Sequence, residues 1–269
     1  MPDSLTPLDA DDDSYGLPPG EPADAARMTF LEHLDELRRR LMRAAAAIGV
    51  GMAISFFFIR RIVDFVMVPL NNLLPQGSTF ISYEMTEGFM LYMKIAALTG
   101  LLLASPIVIL QFWLFIAPGL YSHEKRFAIP FVFLGTFFFL LGAAFSHYVV
   151  FPFAFGFFAN FFGTDSYVKF MPSIGPLFGA YVKMLLALGV VFQMPTVVFF
   201  LARMGMVTAR WLIRKTKYAV LIIFVVAAII TPGPDVISQT IVAAPMVLLY
   251  GLSIVIAWLF QKKKKIEEV

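Results

Sequence analysis

Six apolar runs separated by charged or turn-rich stretches constrain this chain more than any other feature. They lie at about Leu41–Ile59, Leu91–Ile116, Phe127–Phe151, Leu177–Ala202, Tyr218–Thr231 and Thr240–Phe260. About 20 apolar residues in a helix cross the hydrocarbon core of a bilayer. Only a helix or a closed barrel satisfies its own backbone there. The fold class that follows is an all-α polytopic membrane protein with six transmembrane helices in a bundle. Composition agrees: 59% of residues are hydrophobic and 14% charged, against about a quarter charged in soluble domains. The fifth run, "YAVLIIFVVAAIIT", has about two thirds of the usual length, so it thins the bilayer locally or packs inside the bundle.

An even number of spans puts both termini on one side. That side then carries Arg27, Arg38, Arg39, Arg40, Arg43, Lys125, Arg126, Arg203, Arg210, Arg214, Lys215, Lys217 and Lys262 to Lys265, which is 16 of the 21 basic residues. The other side holds Arg60, Arg61 and Lys169, with Lys94 and Lys183 near the starts of two spans. The positive-inside bias places both termini in the cytoplasm. The basic residues do not cluster on a soluble face, so no nucleic-acid partner is expected.

Three domains are expected. Residues 1–26 hold seven acids, five prolines and no Lys or Arg, a composition that cannot offset its ordering entropy, and read as a disordered acidic tail. Residues 27–261 form the membrane domain, and 262–269 form a basic cytoplasmic tail. On the outer side, "RRIVDFVMVPL" reads as a short surface helix. The loop Phe151–Pro176 is dominated by aromatics, as an interfacial belt or as a cap over the bundle's mouth. Pro106, Pro195 and Pro245 fall inside spans, so three of the six should be kinked and the bundle curved and partly open.

No enzyme constellation is present: His33, His123 and His147 are far apart, there is no cysteine, and no phosphate-cradling glycine loop occurs. Neither a metal nor a cofactor is expected. No Asp, Glu, Lys or Arg lies near the centre of a span, where an ion pathway would place one. Gln193, two residues before Pro195, is a deep polar candidate whose simplest role is a hydrogen bond to a neighbouring helix or to a carbonyl freed by the proline. Asp235 reads as the N-cap of the sixth span.

Charge gathers instead at the cytoplasmic face. In "TFLEHLDELRRRL", Thr29 and Glu32 form a capping box. Phe30, Leu34, Leu37 and Leu41 share one helical face, with Glu32, Glu36, Arg39, Arg40 and Arg43 on the other. Glu36 is spaced to pair with Arg39 and Arg40. In "APGLYSHEKRF", Glu124 stands beside Lys125 and Arg126 after a Pro-Gly turn.

"FLEHLDELRRRL", "PLNNLLPQGS", "SPIVILQFWLFIAPGLYSHEKR", "VVFPFAFGFF" and "TPGPDVISQTIVAAPM" together resemble, in order, the TatC family of the twin-arginine protein translocase. The resemblance implies a cup-like bundle in the cytoplasmic (inner) membrane and a subunit that recognises twin-arginine signal peptides. It also implies export of folded proteins driven by the proton-motive force, within a multimeric complex containing TatA- and TatB-type single-span partners. It places the family's signal-binding carboxylates on Glu36 and Glu124 and its loop arginine on Arg126, and His33 and Phe115 join them as candidate signal contacts. Pro69, Pro118 and Asp235 also match family positions. Gln193 departs from the pattern, since many members carry an acid there. A solute permease and a non-transporting scaffold are the competing readings.

Overall fold

The computed structural model describes residues 30–116, 128–163, 170–231 and 236–260. The acidic tail 1–26, Thr29 of the capping box and the basic tail 262–269 lie outside the described residues. Nine α-helices run through the described residues: α1 Phe30–Phe57, α2 Ile59–Asn71, α3 Glu87–Ile116, α4 Ala128–Phe145, α5 Phe151–Gly163, α6 Ile174–Val191, α7 Met194–Arg203, α8 Ala209–Ile230 and α9 Val236–Phe260. A π-helical turn, Ser146–Val150, joins α4 to α5. The chain divides into two compact units, up to Arg39 and from Arg40 onward. The described part of the first unit is the leading end of α1.

The six spans are α1, α3, α4 with α5, α6 with α7, α8, and α9. Five of these are long and apolar enough to cross a membrane. The short fifth span belongs to α8, whose first half carries Arg210, Arg214, Lys215 and Lys217. Its other half does not pack inside the bundle. Ile223, Ala227 and Ile230 are buried, while Leu221, Ile222, Val225 and Ile229 stay exposed, an apolar surface suited to lipid. Two hydrogen bonds tie α8 to α9: Gln239 Nε2 donates to the Phe224 carbonyl at 2.7 Å, and the Tyr250 hydroxyl to the Leu212 carbonyl at 2.7 Å.

The surface helix expected after the first span is α2, which buries Val63, Val66 and Leu70. The expected aromatic loop Phe151–Pro176 needs correction, because its first half is α5. The third span is helical from Ile129 to Phe161, 33 residues, or about 50 Å at 1.5 Å per residue, well beyond the roughly 30 Å hydrocarbon core. Pro152 does not stop it. It comes just after the π-helical turn Ser146–Val150, where the regular i→i−4 ladder is already interrupted.

The prolines act unequally. At Pro195 the span breaks between α6 and α7, around Phe192 and Gln193. Pro106 and Pro245 lie inside continuous helices. A proline deprives the carbonyl four residues earlier of its donor, which for Pro106 is Leu102. The Ser105 hydroxyl donates to that Leu102 carbonyl at 2.7 Å, so the helix keeps its bonding without breaking.

Glycines set the tightest helix contacts. A Cβ on Gly51 would stand 2.5 Å from the Gly100 carbonyl oxygen, and one on Gly100 2.5 Å from the Met52 nitrogen. Here α1 and α3 touch backbone to backbone, the small-residue packing that substitutes in lipid for a hydrophobic driving force. Likewise a Cβ on Gly142 of α4 would lie 2.7 Å from the Leu188 carbonyl oxygen of α6. Gly49 has nothing within 4 Å of its Cβ position. Gly100→Leu is therefore expected to destabilise the protein by about 2 kcal/mol or more, and Gly49→Leu to be near neutral. Thermal unfolding in detergent, followed by fluorescence-detected size exclusion, checks both.

Candidate functional site

The charged candidates fall on two segments. In the first unit, the leading turns of α1 expose Glu32, His33, Leu34, Asp35, Leu37, Arg38 and Arg39, and Glu36 alone of the acids is half-buried. Its Oε2 is fully shielded from solvent. Asp35 takes Arg39 at 2.9 Å, the i,i+4 spacing, with both side chains more than half exposed. Such a surface pair contributes little to stability. The segment thus presents exposed apolar residues beside one shielded carboxylate.

The second segment is framed by aromatic packing. Trp113 of α3 lies against Phe131 of α4 with ring centroids 4.4 Å apart, and edge-on to Phe200 of α7 at 4.7 Å. Trp113 and Phe131 are buried, and Ile109, Ile116 and Met204 pack around them. This cluster clamps the end of α3 to the start of α4. Residues 117–127 lie between the two helices in sequence. Glu124, Arg126 and Pro118 fall in that stretch, outside the described residues. Phe115, one residue before the end of α3, is half-buried. Asp235 lies outside the described residues too, immediately before α9.

Gln193 follows its simplest reading. Its Nε2 donates to the Gly135 carbonyl of α4 at 2.7 Å, bridging the broken span to its neighbour. The amide needs its N–H here, because a carbonyl only accepts. Pro69 is half-buried inside α2, two residues before that helix ends at Asn71.

On the α2 side of the molecule the structure brings together groups that the sequence leaves apart. The Tyr181 hydroxyl lies 3.1 Å from His147 Nδ1, and Phe65 stacks on the His147 ring with centroids 4.6 Å apart. His147 is buried. Glu87 accepts from the Tyr83 N–H at 3.1 Å and from the Ser173 hydroxyl at 3.2 Å. Beside it the Ile81 N–H donates to the Pro172 carbonyl and the Ile174 N–H to the Ile81 carbonyl. These bonds latch the 72–86 connection onto the start of α6. No local pattern signals either pairing, since the partners are 34 and 86 residues apart.

Three comparisons with known proteins bear on this arrangement. The family model for TatC, the Sec-independent protein translocase protein, matches residues 32–245. The chain is 44% identical to the TatC protein of Desulforapulum autotrophicum over 239 residues, covering 89% of this chain and 87% of that one. It is 35% identical to the TatC of Carboxydothermus hydrogenoformans, covering 88% and 96% respectively. A crystal structure of the twin-arginine translocase receptor TatC superposes with a TM-score of 0.71 at 35% identity, covering 84% of this chain and 98% of that one.

The Gln193 bond gives a direct prediction. Gln193→Leu loses one interhelical hydrogen bond, about 0.6 kcal/mol in a membrane interior. Gln193→Glu, when ionised, sets a carboxylate against a carbonyl oxygen and should destabilise more. Thermal unfolding of the two variants at pH 8 is expected to rank them in that order.

Proposed function

The chain belongs to the TatC family of Sec-independent protein translocase proteins, and from that premise we propose that Glu36 and Glu124 recognise the arginine pair of a twin-arginine signal peptide. The chain is a multi-pass membrane protein and a subunit of a protein translocase. A guanidinium is a rigid fork that pairs bidentately with a carboxylate, and two arginines call for two carboxylates. By span parity both acids emerge on one side, and the excess of Lys and Arg there supports reading it as the cytoplasmic side; the family supports an inner membrane.

The observation that carries this reading is the match over residues 32–245, which takes in both carboxylate-bearing segments. Two features support it further. Glu36 is the acid of its segment withdrawn from water, as a recognition group is and a solvated charge is not. The Trp113 cluster packs the end of α3 against the start of α4, the two helices between which Glu124 falls in the sequence. The same reading takes Arg126, His33 and Phe115 as further signal contacts and the exposed Leu34, Leu37 and Leu41 as surface for apolar residues of the signal.

The rest of the reading follows from the family. TatA- and TatB-type single-span proteins join this chain in a multimeric complex, the proton-motive force drives passage of folded cargo, and Pro69 and Asp235 shape the outer side. Gln193 acts as a helix bridge and carries no charge through the cycle.

Export of a twin-arginine reporter should fall about tenfold or more in Glu36→Ala and in Glu124→Ala, the loss of a charge-assisted hydrogen bond. Glu32→Ala, at an exposed position, should leave export unchanged. Immunoblots establish equal protein levels. Undiminished export in both carboxylate variants would leave these acids as mere balance for their neighbouring arginines.

A further inference from the structure

Against the positive-inside bias, α2 begins with two arginines on the side opposite the termini. Its first turn has no acid, and its N-cap, Phe58, makes no side-chain capping bond. Cations at that end of a helix oppose its dipole, which favours an anion there. Asp64 is the nearest acid along the helix, but Arg61 makes no ion pair among the described residues. A nearby group of opposite charge would relieve both the dipole and the two side chains.

Arg61 also lines a cavity of about 280 Å³ enclosed by α2, α3 and α6. Among the described residues its other walls are apolar except at Thr99 and Tyr181, and the Tyr181 hydroxyl is already engaged by His147. Phe65 stands near the arginine, while Leu98 and Leu102 line the part that runs along α3 toward the middle of that 30-residue span. The cavity therefore has one cationic end and an apolar length. Its depth lies within the bilayer, its charge at the surface.

We infer that this cavity is a binding site for a membrane phospholipid, with the phosphate on Arg61 and one acyl chain lying along α3 past Leu98 and Leu102. The occupant follows from charge complementarity. A free anion leaves the apolar length unfilled, an uncharged chain leaves the arginine without a counter-charge, and a phospholipid supplies both from the surrounding bilayer. Guanidinium and phosphate match as fork and oxyanion. Asp64, one turn further along α2, disfavours additional negative charge in the head, so the phosphate is the group recognised. The lipid would belong to the leaflet at the α2 end, and would help to seat α2 against α3 and α6.

The test is a lipid titration of the purified full chain in detergent, read by native mass spectrometry. The probes are dioleoylphosphatidylglycerol, dioleoylglycerol and inorganic phosphate. One tight phosphatidylglycerol per chain is expected, weakened about tenfold by Arg61→Ala, unaffected by Arg60→Ala, and abolished by Thr99→Phe, which fills the cavity. Dioleoylglycerol should bind weakly and equally to wild type and Arg61→Ala, and inorganic phosphate should not displace the lipid. The proposal is overturned by equal phosphatidylglycerol binding in wild type, Arg61→Ala and Thr99→Phe. Equal weakening by Arg60→Ala and Arg61→Ala, the mark of general surface charge, overturns it as well. So does loss in Thr99→Phe alone, which makes the occupant a chain without a recognised head, and so does displacement by phosphate, which makes it a free-anion site.

Discussion

A backbone polar group in hydrocarbon has no water to fall back on, so each must find a partner inside the protein. This requirement explains the helical architecture and, more tellingly, its irregular places. Where Pro106 removes an N–H, the Ser105 hydroxyl serves the Leu102 carbonyl and the helix runs on. Where Pro195 does break a span, Gln193 at the break reaches across to the Gly135 carbonyl. The weakest span, α8, is tied to α9 through side-chain donors to backbone carbonyls at Phe224 and Leu212. Ser105, Gln193, Gln239 and Tyr250 are all spent on the backbone of a turn or a neighbouring helix.

That use of polarity has a functional corollary. With the interior given over to helix bridging and to glycine contacts such as Gly51 against Gly100, the charged groups are left to the two ends of the spans. The end of the spans toward the termini carries Glu36 and the excess of arginine and lysine. The other end carries a smaller set, among them Arg61 beside the cavity of α2, α3 and α6 and Glu87 latching a connection onto α6. Recognition of a charged signal fits the first, and anchoring to lipid the second. A pathway for small ions through the span centres has no charged residue to build on.

Much of the fold was legible in the sequence because membrane spans announce themselves by length and apolarity. The surface helix α2 and the neighbour-helix role of Gln193 were legible for the same reason: each follows from a local pattern. The aromatic stretch after Phe151 was not, because apolar residues without a strong breaker serve equally in a helix, an interfacial belt or a cap, and only packing decides. Which proline interrupts its helix outright was not legible either, since a serine one residue earlier serves the carbonyl freed by Pro106. The His147–Tyr181 and Glu87–Ser173 pairs depend on how distant helices meet, which no local spacing encodes. At the candidate site, Glu36 and Glu124 stood out because acids set among arginines beside a span need a reason, while the shielding of Glu36 and the Trp113 clamp emerge only from the folded chain.

The central claim, that two carboxylates read two arginines, is tested most directly by binding. A fluorescent signal peptide is titrated onto the protein in nanodiscs, with its arginine pair intact or replaced by two lysines, against wild type, Glu36→Gln and Glu124→Gln. The account predicts that wild type prefers the arginine peptide by about tenfold or more, and that each glutamine variant erodes this preference while leaving binding of the lysine peptide nearly unchanged. Equal binding of the two peptides to wild type, with no effect of either substitution, would contradict it.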